Sequence, residues 1–522
     1  MNKQIPITNA RYASDPMGLY EAIKNGKNGN TLLLESADIT THAGTQSLLL
    51  VNAALRIVCE GNAVKLTALT ANGAAAFPSI KTALAEIDCV EKTNALTFTF
   101  PPMNDTIDEE SRLLERSPLD VLRAMRQVAL NAAGTPDRVL LGGIFGYDLV
   151  EVFEKLPNVP AGANTCPNYL FYLAETFLTL NHVAQTTTIT TLNLTDAPAE
   201  FSRLETRSRE TQTLCEKSVP AAQKSVPATQ FESLPVTLGK SDKTYCAEVE
   251  YLKTFIRKGD IFQVVPSRTF NLACPNPEAS YRVLRQNNPS PYMFFVDDQD
   301  FVVFGASPEI SVKFTAGTRL VELYPIAGTR RRGFDADGKI NPDLDSRIEF
   351  DLRMDTKELS EHLMLVDLAR NDLARIAEPK TRCTKELLKV DRYSHVMHLV
   401  SHVVAKLRAD LDALHAYQAC LNMGTLTGAP KIRATELLRS VERERRGSYG
   451  GAVGYLNGNG DMDTCILIRS AFVKNGTAIV QAGGGVVLDS IPQNEADESR
   501  NKAMAPLAAI AQAHGKHIVF KD

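Results

Sequence analysis

The stretch Phe301–Phe314, FVVFGASPEISVKF, decides the fold. Its β-branched and aromatic residues read as strand, and Glu309 is the one acid set among apolar neighbours. Helical periodicity flanks it in AEVEYLKTFIRKG (247–259) and RATELLRSVERE (433–444). Nearer the N-terminus, β-branched runs such as LTLNHVAQTTTITTLNL (178–194) mix with helices such as SPLDVLRAMRQVALNAA (117–133). Strands and helices do not alternate regularly, and no GxGxxG opens a βαβ unit. The pattern predicts an α+β fold, with large antiparallel β-sheets in a sandwich-like arrangement, helices packed outside and an active site in a cleft. Burial of Glu309 on such a strand would raise its pKa and suit it to protonate a leaving group.

At 522 residues the chain has room for two domains or one large multi-layer body. A compositional break lies between about Glu205 and Lys243 and holds a near-perfect duplication, KSVPAAQ (217–223) and KSVPATQ (224–230). Its Lys, Ser, Pro and Gln content builds no core, so residues 206–242 are expected to be a linker or exposed excursion between domains at 1–205 and 243–522. A net charge of −4 argues against a nucleic-acid partner. No run approaches the ~18 apolar residues of a membrane span, and the opening MNKQIPITNARYASDP lacks the apolar core of a signal peptide. Nine cysteines without a CxxC fit reduced thiols in a cytoplasm, and none sits in the Gly-x-Cys-x-Gly turn that displays a glutaminase nucleophile.

Two distant segments each carry glutamates three residues apart: Glu358 and Glu361 in DTKELSEHLMLVDLARND, Glu495 and Glu498 in PQNEADESRNKAMAPL. On a helix, i and i+3 share a face, so two pairs that meet would bring four carboxylates together. Such a cluster needs protons or a cation, and Mg²⁺ with one or two direct carboxylates, waters and an anionic substrate suits it. A solvated helix surface also carries glutamates at this spacing. Asp355 or Thr356 caps the first helix, while the second starts after Pro492 with Asn494 as its N-cap. Lys502 lies on the face of Glu495, placed to neutralise the cluster or hold a substrate carboxylate, and also forms an ordinary i,i+4 pair with Glu498.

Three glycine-bearing segments look like anion cradles: GTLTGAPK (424–431), Gly483–Gly484–Gly485, and PIAGTRRR (325–332). The first is not a Walker A loop, because its lysine follows Ala-Pro and no Ser or Thr comes next. The triple glycine reads either as a close approach to a ligand or as a plain bulge. With Arg469 on the apolar segment TCILIRSAF, these imply a substrate with more than one carboxylate. His395, His398 and His402 would share one side of a helix, but VMHLVSHVVAKL reads as strand. His398 and His402 then share a face and His395 turns away, leaving a single histidine as base, polar contact or structural group.

Together these segments resemble the chorismate-utilising enzymes, and within them the component I (large-subunit) branch of anthranilate synthase. The matching stretches are GDIFQVVPSR, GASPEI, PIAGT, EHLMLVDLARND, HLVSHV, TGAPK, AGGGVVLDS and NEADESRNKA. By position, the resemblance implies Mg²⁺ on Glu361 and Glu498, with Glu358 and Glu495 holding its waters. The ion would bind the ring carboxylate of chorismate near Lys502. Tyr449, Arg469 and the amides of the Gly483, Gly484 and Gly485 run would hold the enolpyruvyl carboxylate, and Gly328, Thr329 and Thr425 would line the substrate site. Glu309 would protonate the departing C4 hydroxyl as ammonia adds at C2, and His398 would assist loss of the C2 proton.

Gln263 stands where water-adding relatives carry a lysine base, and Ala327 where relatives making aminodeoxychorismate often carry a nucleophilic lysine. Both select anthranilate. The resemblance also implies a feedback site for tryptophan in the N-terminal domain, with Glu35 and Ser36 of LLES beside Pro291, Tyr292 and Met293 of NPSPYMF. Gln46 stands where a lysine is common, a departure that bears on inhibitor affinity. With no glutaminase motif in this chain, a separate glutamine amidotransferase (component II) subunit would supply ammonia, in a cytoplasmic heterotetramer. The complete absence of tryptophan suits an enzyme needed when tryptophan is scarce.

Overall fold

A computed structural model of the chain describes residues 2–24, 29–37, 44–104, 106–217, 232–335, 337–393 and 396–521. Within it, the stretch 301–314 is two strands, not one. Val302–Ser307 and Ile310–Thr315 are separated at Pro308, whose ring nitrogen offers no hydrogen to a ladder. The break moves the chain from one sheet to another. Val302–Ser307 pairs with Tyr292–Asp297 and Ser470–Lys474, whereas Ile310–Thr315 pairs with Leu320–Leu323 and Met462–Ile466.

The segment TCILIRSAF makes the same crossing in reverse, from Met462–Ile466 to Ser470–Lys474, with Arg469 at the turn in the left-handed region (φ +52°). Two main-chain bonds knit the crossings together. Ile466 N donates to Glu309 O (3.0 Å) and Ala306 N to Arg469 O (3.2 Å). The sheet switch therefore places Glu309 and Arg469 at neighbouring crossings of the main chain.

The first sheet runs in the order Lys516–Lys521, Glu232–Leu238, Ser267–Ala273, Thr477–Gly483, Ser470–Lys474, Val302–Ser307, Tyr292–Asp297, Thr31–Ala37, Gly44–Glu60. The second runs Val396–Lys406, Leu320–Leu323, Ile310–Thr315, Met462–Ile466, Ala452–Asn457, Leu140–Phe145, Tyr169–Asn181. Gly44–Glu60 and Tyr169–Asn181 are long, bent at bulges between Leu50 and Leu55, and pair with each other, joining the sheets along one edge. Of these ladders only Glu232–Leu238 with Lys516–Lys521 is parallel. The ladders between the described strands do not close on themselves, so the body is an open α+β sandwich.

Side chains such as Leu32, Ile144, Tyr172, Phe294, Val303 and Phe472 fill the space between the sheets. Each large apolar side chain so buried contributes ~1.5–3 kcal/mol. Helices Pro16–Lys24, Pro277–Asn287 and Pro492–Ala513 cover the outer face of the first sheet; Asp120–Ala133, Thr356–Ala374 and Ala413–Cys420 cover the second.

The expected halves are interleaved: Thr31–Ala37 from the N-terminal part pairs with Tyr292–Asp297, and Leu140–Phe145 with Ala452–Asn457. Helix Pro198–Lys217 runs through residue 205, and Glu232–Leu238 is a strand, so both described flanks of the expected linker are regular structure. The duplication lies, but for Lys217, outside the described residues.

Candidate active site

Asp355 caps the first glutamate helix, Thr356–Ala374, as the sequence indicates, accepting from the amides of Lys357 and Glu358. The second helix, Pro492–Ala513, begins one turn earlier than its expected cap. Pro492 takes the first position, Ile491 precedes it without a side-chain cap, and Asn494 lies inside the first turn. This helix is anchored by Arg268, buried between the rings of Tyr245 and Phe270. Its guanidinium donates to Ser499 Oγ (2.9 Å), Ala496 O (2.8 Å) and Asp242 Oδ1 (2.6 Å).

The two helices bring their glutamates near enough to act on one another, Glu361 on Glu358 and Glu498, and Glu495 on Glu498. Burial, then the charges of Glu358 and Glu498, push the Glu361 carboxyl up to about 7. Burial and the charge of Glu498 also raise Glu495, whose Oε2 is buried without a hydrogen-bond partner. Glu498 is held below its ordinary value, because Lys502 Nζ stands 2.6 Å from its Oε1. Glu358 is paired with Arg330 (2.7 Å), which also bridges to Asp355 (2.7 Å), and Arg332 is paired with Asp345. The basic residues after Gly328 and Thr329 are thus partly spent on acids of the protein itself.

The last two glycines of the triple sit against these side chains, and the first, Gly483, against main chain, where a Cβ would stand 2.0 Å from Pro266 O. A Cβ on Gly484 would stand 2.4 Å from Glu495 Oε2, and one on Gly485 would stand 2.6 Å from Gln263 Nε2 and 2.9 Å from Glu361 Oε1. Gly483 ends its strand, and its carbonyl accepts from Lys502 Nζ at 3.1 Å. Gln263, buried on the two-residue strand Gln263–Val264, donates to Glu361 Oε1 at 2.6 Å while its own Oε1 finds no partner. The sequence singled out Gln263 as the residue that replaces a base, but not as a partner of Glu361.

Lys502 ties the remaining groups together, since its charge acts on Glu309, Glu361, Glu495, Glu498 and His398 alike. Glu309 is buried at the sheet crossing and accepts from Thr425 Oγ1 at 3.0 Å; desolvation pushes its carboxyl up to about 8. His398 lies in the strand Val396–Lys406, with Nδ1 at 2.9 Å from Thr329 Oγ1. Desolvation, aided by Arg469 and Lys502, pushes it down to about 4. At neutral pH the site therefore carries a protonated carboxyl and a neutral imidazole, the pairing that separates an acid from a base.

His402 shares the face of His398 but bonds Glu322 (2.8 Å) and stacks on Tyr324; His395 lies outside the described residues. Gly328 adopts φ +75°, with Glu358 Oε2 at 3.2 Å from where a Cβ would be. Tyr449 is buried with Leu426 and Ile466, beneath the Arg446 guanidinium. Arg469 is half-buried and donates to Lys502 O (3.2 Å); among the described residues no carboxylate lies within salt-bridge distance of it. A partly desolvated guanidinium with no carboxylate paired to it is suited to an anionic ligand.

A second cavity, of about 510 Å³, opens between the sheets and is lined by Glu35, Ser36, Gln46, Tyr292 and Met293 among others. Glu35 is buried, accepting from Tyr281 (2.6 Å) and Arg285 (2.6 Å), and Ser36 Oγ bonds Thr45 Oγ1 (2.6 Å). Tyr292 donates to Asp463 Oδ1 at 2.9 Å. Pro291 meets this region through its carbonyl, which accepts from Ala37 N.

Residues 87–508 match the family model described as chorismate binding enzyme. Anthranilate synthase component 1 of Vibrio cholerae is 54% identical over 505 residues, covering 96% of this chain and 95% of that protein. Its Escherichia coli counterpart is 52% identical over 511 residues, covering 98% and 97%. Among solved structures, anthranilate synthase component I from Streptococcus pneumoniae superposes with a TM-score of 0.69 at 30% identity, over 88% of this chain and 92% of that one. The menaquinone-specific isochorismate synthase of Escherichia coli shares the fold, with a TM-score of 0.66 at 15% identity over 98% and 95%. The chain belongs to the chorismate-binding enzymes, in their anthranilate synthase component I branch. No helix among the described residues is long and apolar enough to cross a membrane.

Proposed function

We propose that this chain converts chorismate and ammonia into anthranilate, pyruvate and water, the first committed step towards tryptophan. A separate glutamine amidotransferase subunit supplies the ammonia, in a cytoplasmic heterotetramer. The observation that carries the reading is the convergence on Lys502 of a carboxylate cluster, a protonated Glu309 and a neutral His398.

The carboxylate cluster fits a magnesium ion. Glu495 Oε2 is a buried oxygen without a partner, and Glu361 is strained by like charges. Among the described residues no three such side chains are placed to hold a metal by themselves, so substrate and water would have to complete the shell. Glu361 and Glu498 would hold the ion, Glu358 and Glu495 its waters, and it would neutralise the ring carboxylate of chorismate.

The chain's own residues supply the rest. Arg469, Tyr449 and the Gly485 amide hold the enolpyruvyl carboxylate, and Thr329, Thr425 and Gly328 border the ring. Glu309 gives its proton to the C4 hydroxyl, which leaves as water while ammonia nitrogen bonds C2, and the ammonium so formed loses a proton that restores the Glu309 acid. His398, neutral and steadied by Thr329, takes the C2 proton in the second step. The enolpyruvyl C–O bond then breaks, the ring becomes aromatic, and pyruvate gains a proton on its methyl carbon. Gln263 cannot act as a base towards water, and Ala327 offers no nucleophile.

Tryptophan binds the cavity between the sheets, its ammonium at Glu35 and its indole against Pro291, Tyr292 and Met293. The test is to incubate the purified chain with chorismate, Mg²⁺ and an ammonium salt, with and without tryptophan. Anthranilate plus pyruvate, suppressed by tryptophan, is the expected result; another chorismate product would refute the assignment.

A further inference from the structure

The helix that carries Glu358 and Glu361 borders a second space on its adjacent face. Ser360, Met364, Asp367, Leu368 and Asn371 line an outer groove of about 670 Å³, which the exposed Phe262 and the loop Ala429–Lys431 also border. On the inner side lies a cavity of only about 30 Å³, lined by Glu309, Tyr324, Gly424 and Thr425. That volume has room for a molecule the size of water or ammonia and not for a ring. Leu368 and Asp372 line both spaces, so one layer of side chains separates solvent from the catalytic acid.

This septum is closely built. A Cβ on Gly424 would stand 2.2 Å from Leu368 Cδ2, so the leucine lies directly against main chain. Asp372 is buried and fixed by Lys431 Nζ at 2.6 Å, which also donates to Cys420 O at 2.9 Å. Leu368 is the half-buried, apolar and rotatable member of the pair. An apolar gate suits neutral ammonia, since a charged ammonium ion would lose its hydration there without compensation. Beyond it stand the Thr425 hydroxyl and the Glu309 carboxyl, polar partners for a small nucleophile.

We propose that ammonia reaches the ring from the outer groove, past Leu368 and Asp372 and through the small cavity beside Glu309 and Thr425. The inference rests on the reading that this chain aminates chorismate. It gives the nucleophile a path separate from the cleft that chorismate and its counter-ion fill. The mouth of the groove is then the place where an ammonia-delivering subunit must release its product.

The experiment measures anthranilate formation by the full chain at saturating chorismate and Mg²⁺, with ammonium chloride varied at fixed pH. Leu368→Trp is expected to raise the KM for ammonium roughly tenfold with the KM for chorismate unchanged; Leu368→Ala is expected to lower the ammonium KM roughly threefold. Should the tryptophan variant fail to fold, the alanine variant decides alone. An ammonium KM unchanged in the folded variants, or KM values for both substrates that rise together, overturns the route. A wild-type chain that makes no anthranilate from ammonium overturns the amination reading itself, and the route with it.

Discussion

Replacing Glu309 with glutamine will make the protein more stable while removing its activity, and the gain will grow with pH. Burial lifts the Glu309 carboxyl from an ordinary 4.5 to about 8. Between those values the unfolded chain has released a proton that the folded chain still holds. The folded state binds more protons there, so stability falls as pH rises, by ~1.4 kcal/mol per pH unit. Integrated, keeping this carboxyl buried costs about 1 kcal/mol at pH 5, about 3 at pH 7 and about 5 at pH 9. Glutamine has nearly the same volume, carries no charge and still accepts the Thr425 hydroxyl, so it escapes the cost. Urea unfolding of both proteins at the three pH values, followed by circular dichroism because the chain has no tryptophan, reads the difference directly. A stability gap that stays flat or narrows with rising pH would refute the reasoning, because Glu309 would then not be a proton carrier imposed by burial.

Glu361→Gln and Glu498→Gln are each expected to abolish turnover even with excess ammonia, a loss of at least roughly a hundredfold; near-normal anthranilate production by both would remove the metal cage. Gly485→Ala drives a methyl group against Gln263 and Glu361, so it should cost activity steeply while leaving the far-ultraviolet spectrum unchanged. Arg268→Lys cannot reproduce the three-way bonding that anchors the second glutamate helix. It should lower stability by about 2–4 kcal/mol in urea unfolding and also reduce kcat by loosening Glu498. Glu35→Gln should relieve inhibition by tryptophan and spare uninhibited catalysis, as a titration of anthranilate production against tryptophan would report.

The sequence made the short-range features plain and left the long-range ones hidden. The cap at Asp355 and the strand character of VMHLVSHVVAKL are local matters, read from residue type and spacing. The α+β class followed from the irregular order of the elements. The stretch 301–314 was legible as β-structure, but its division between two sheets was not, because strand propensity does not say which neighbour a strand will find. Most site residues were reached through resemblance, and their couplings were not. The Gln263–Glu361 bond, the pressure of Glu495 on Gly484 and of Glu361 on Gly485, and the Lys431–Asp372 pair all join residues distant in the chain or unpredictable from it. The Asn494 cap misled because Pro492 already satisfies the first turn, so a polar residue two positions on has no terminus left to close.

The pairing of Thr31–Ala37 with Tyr292–Asp297, and of Leu140–Phe145 with Ala452–Asn457, has a consequence for dissection. Neither half owns a complete sheet. A fragment ending at Lys217 would present two long unsatisfied strand edges, and so would its complement, which invites aggregation when either is made alone. Made together, the same two edges are templates for each other, so the pieces would reassemble as a split enzyme. The seam that rejoins them sets Glu35 opposite Met293 and Ser36 opposite Tyr292 beside the cavity between the sheets, and a ligand in that cavity would act as glue between fragments.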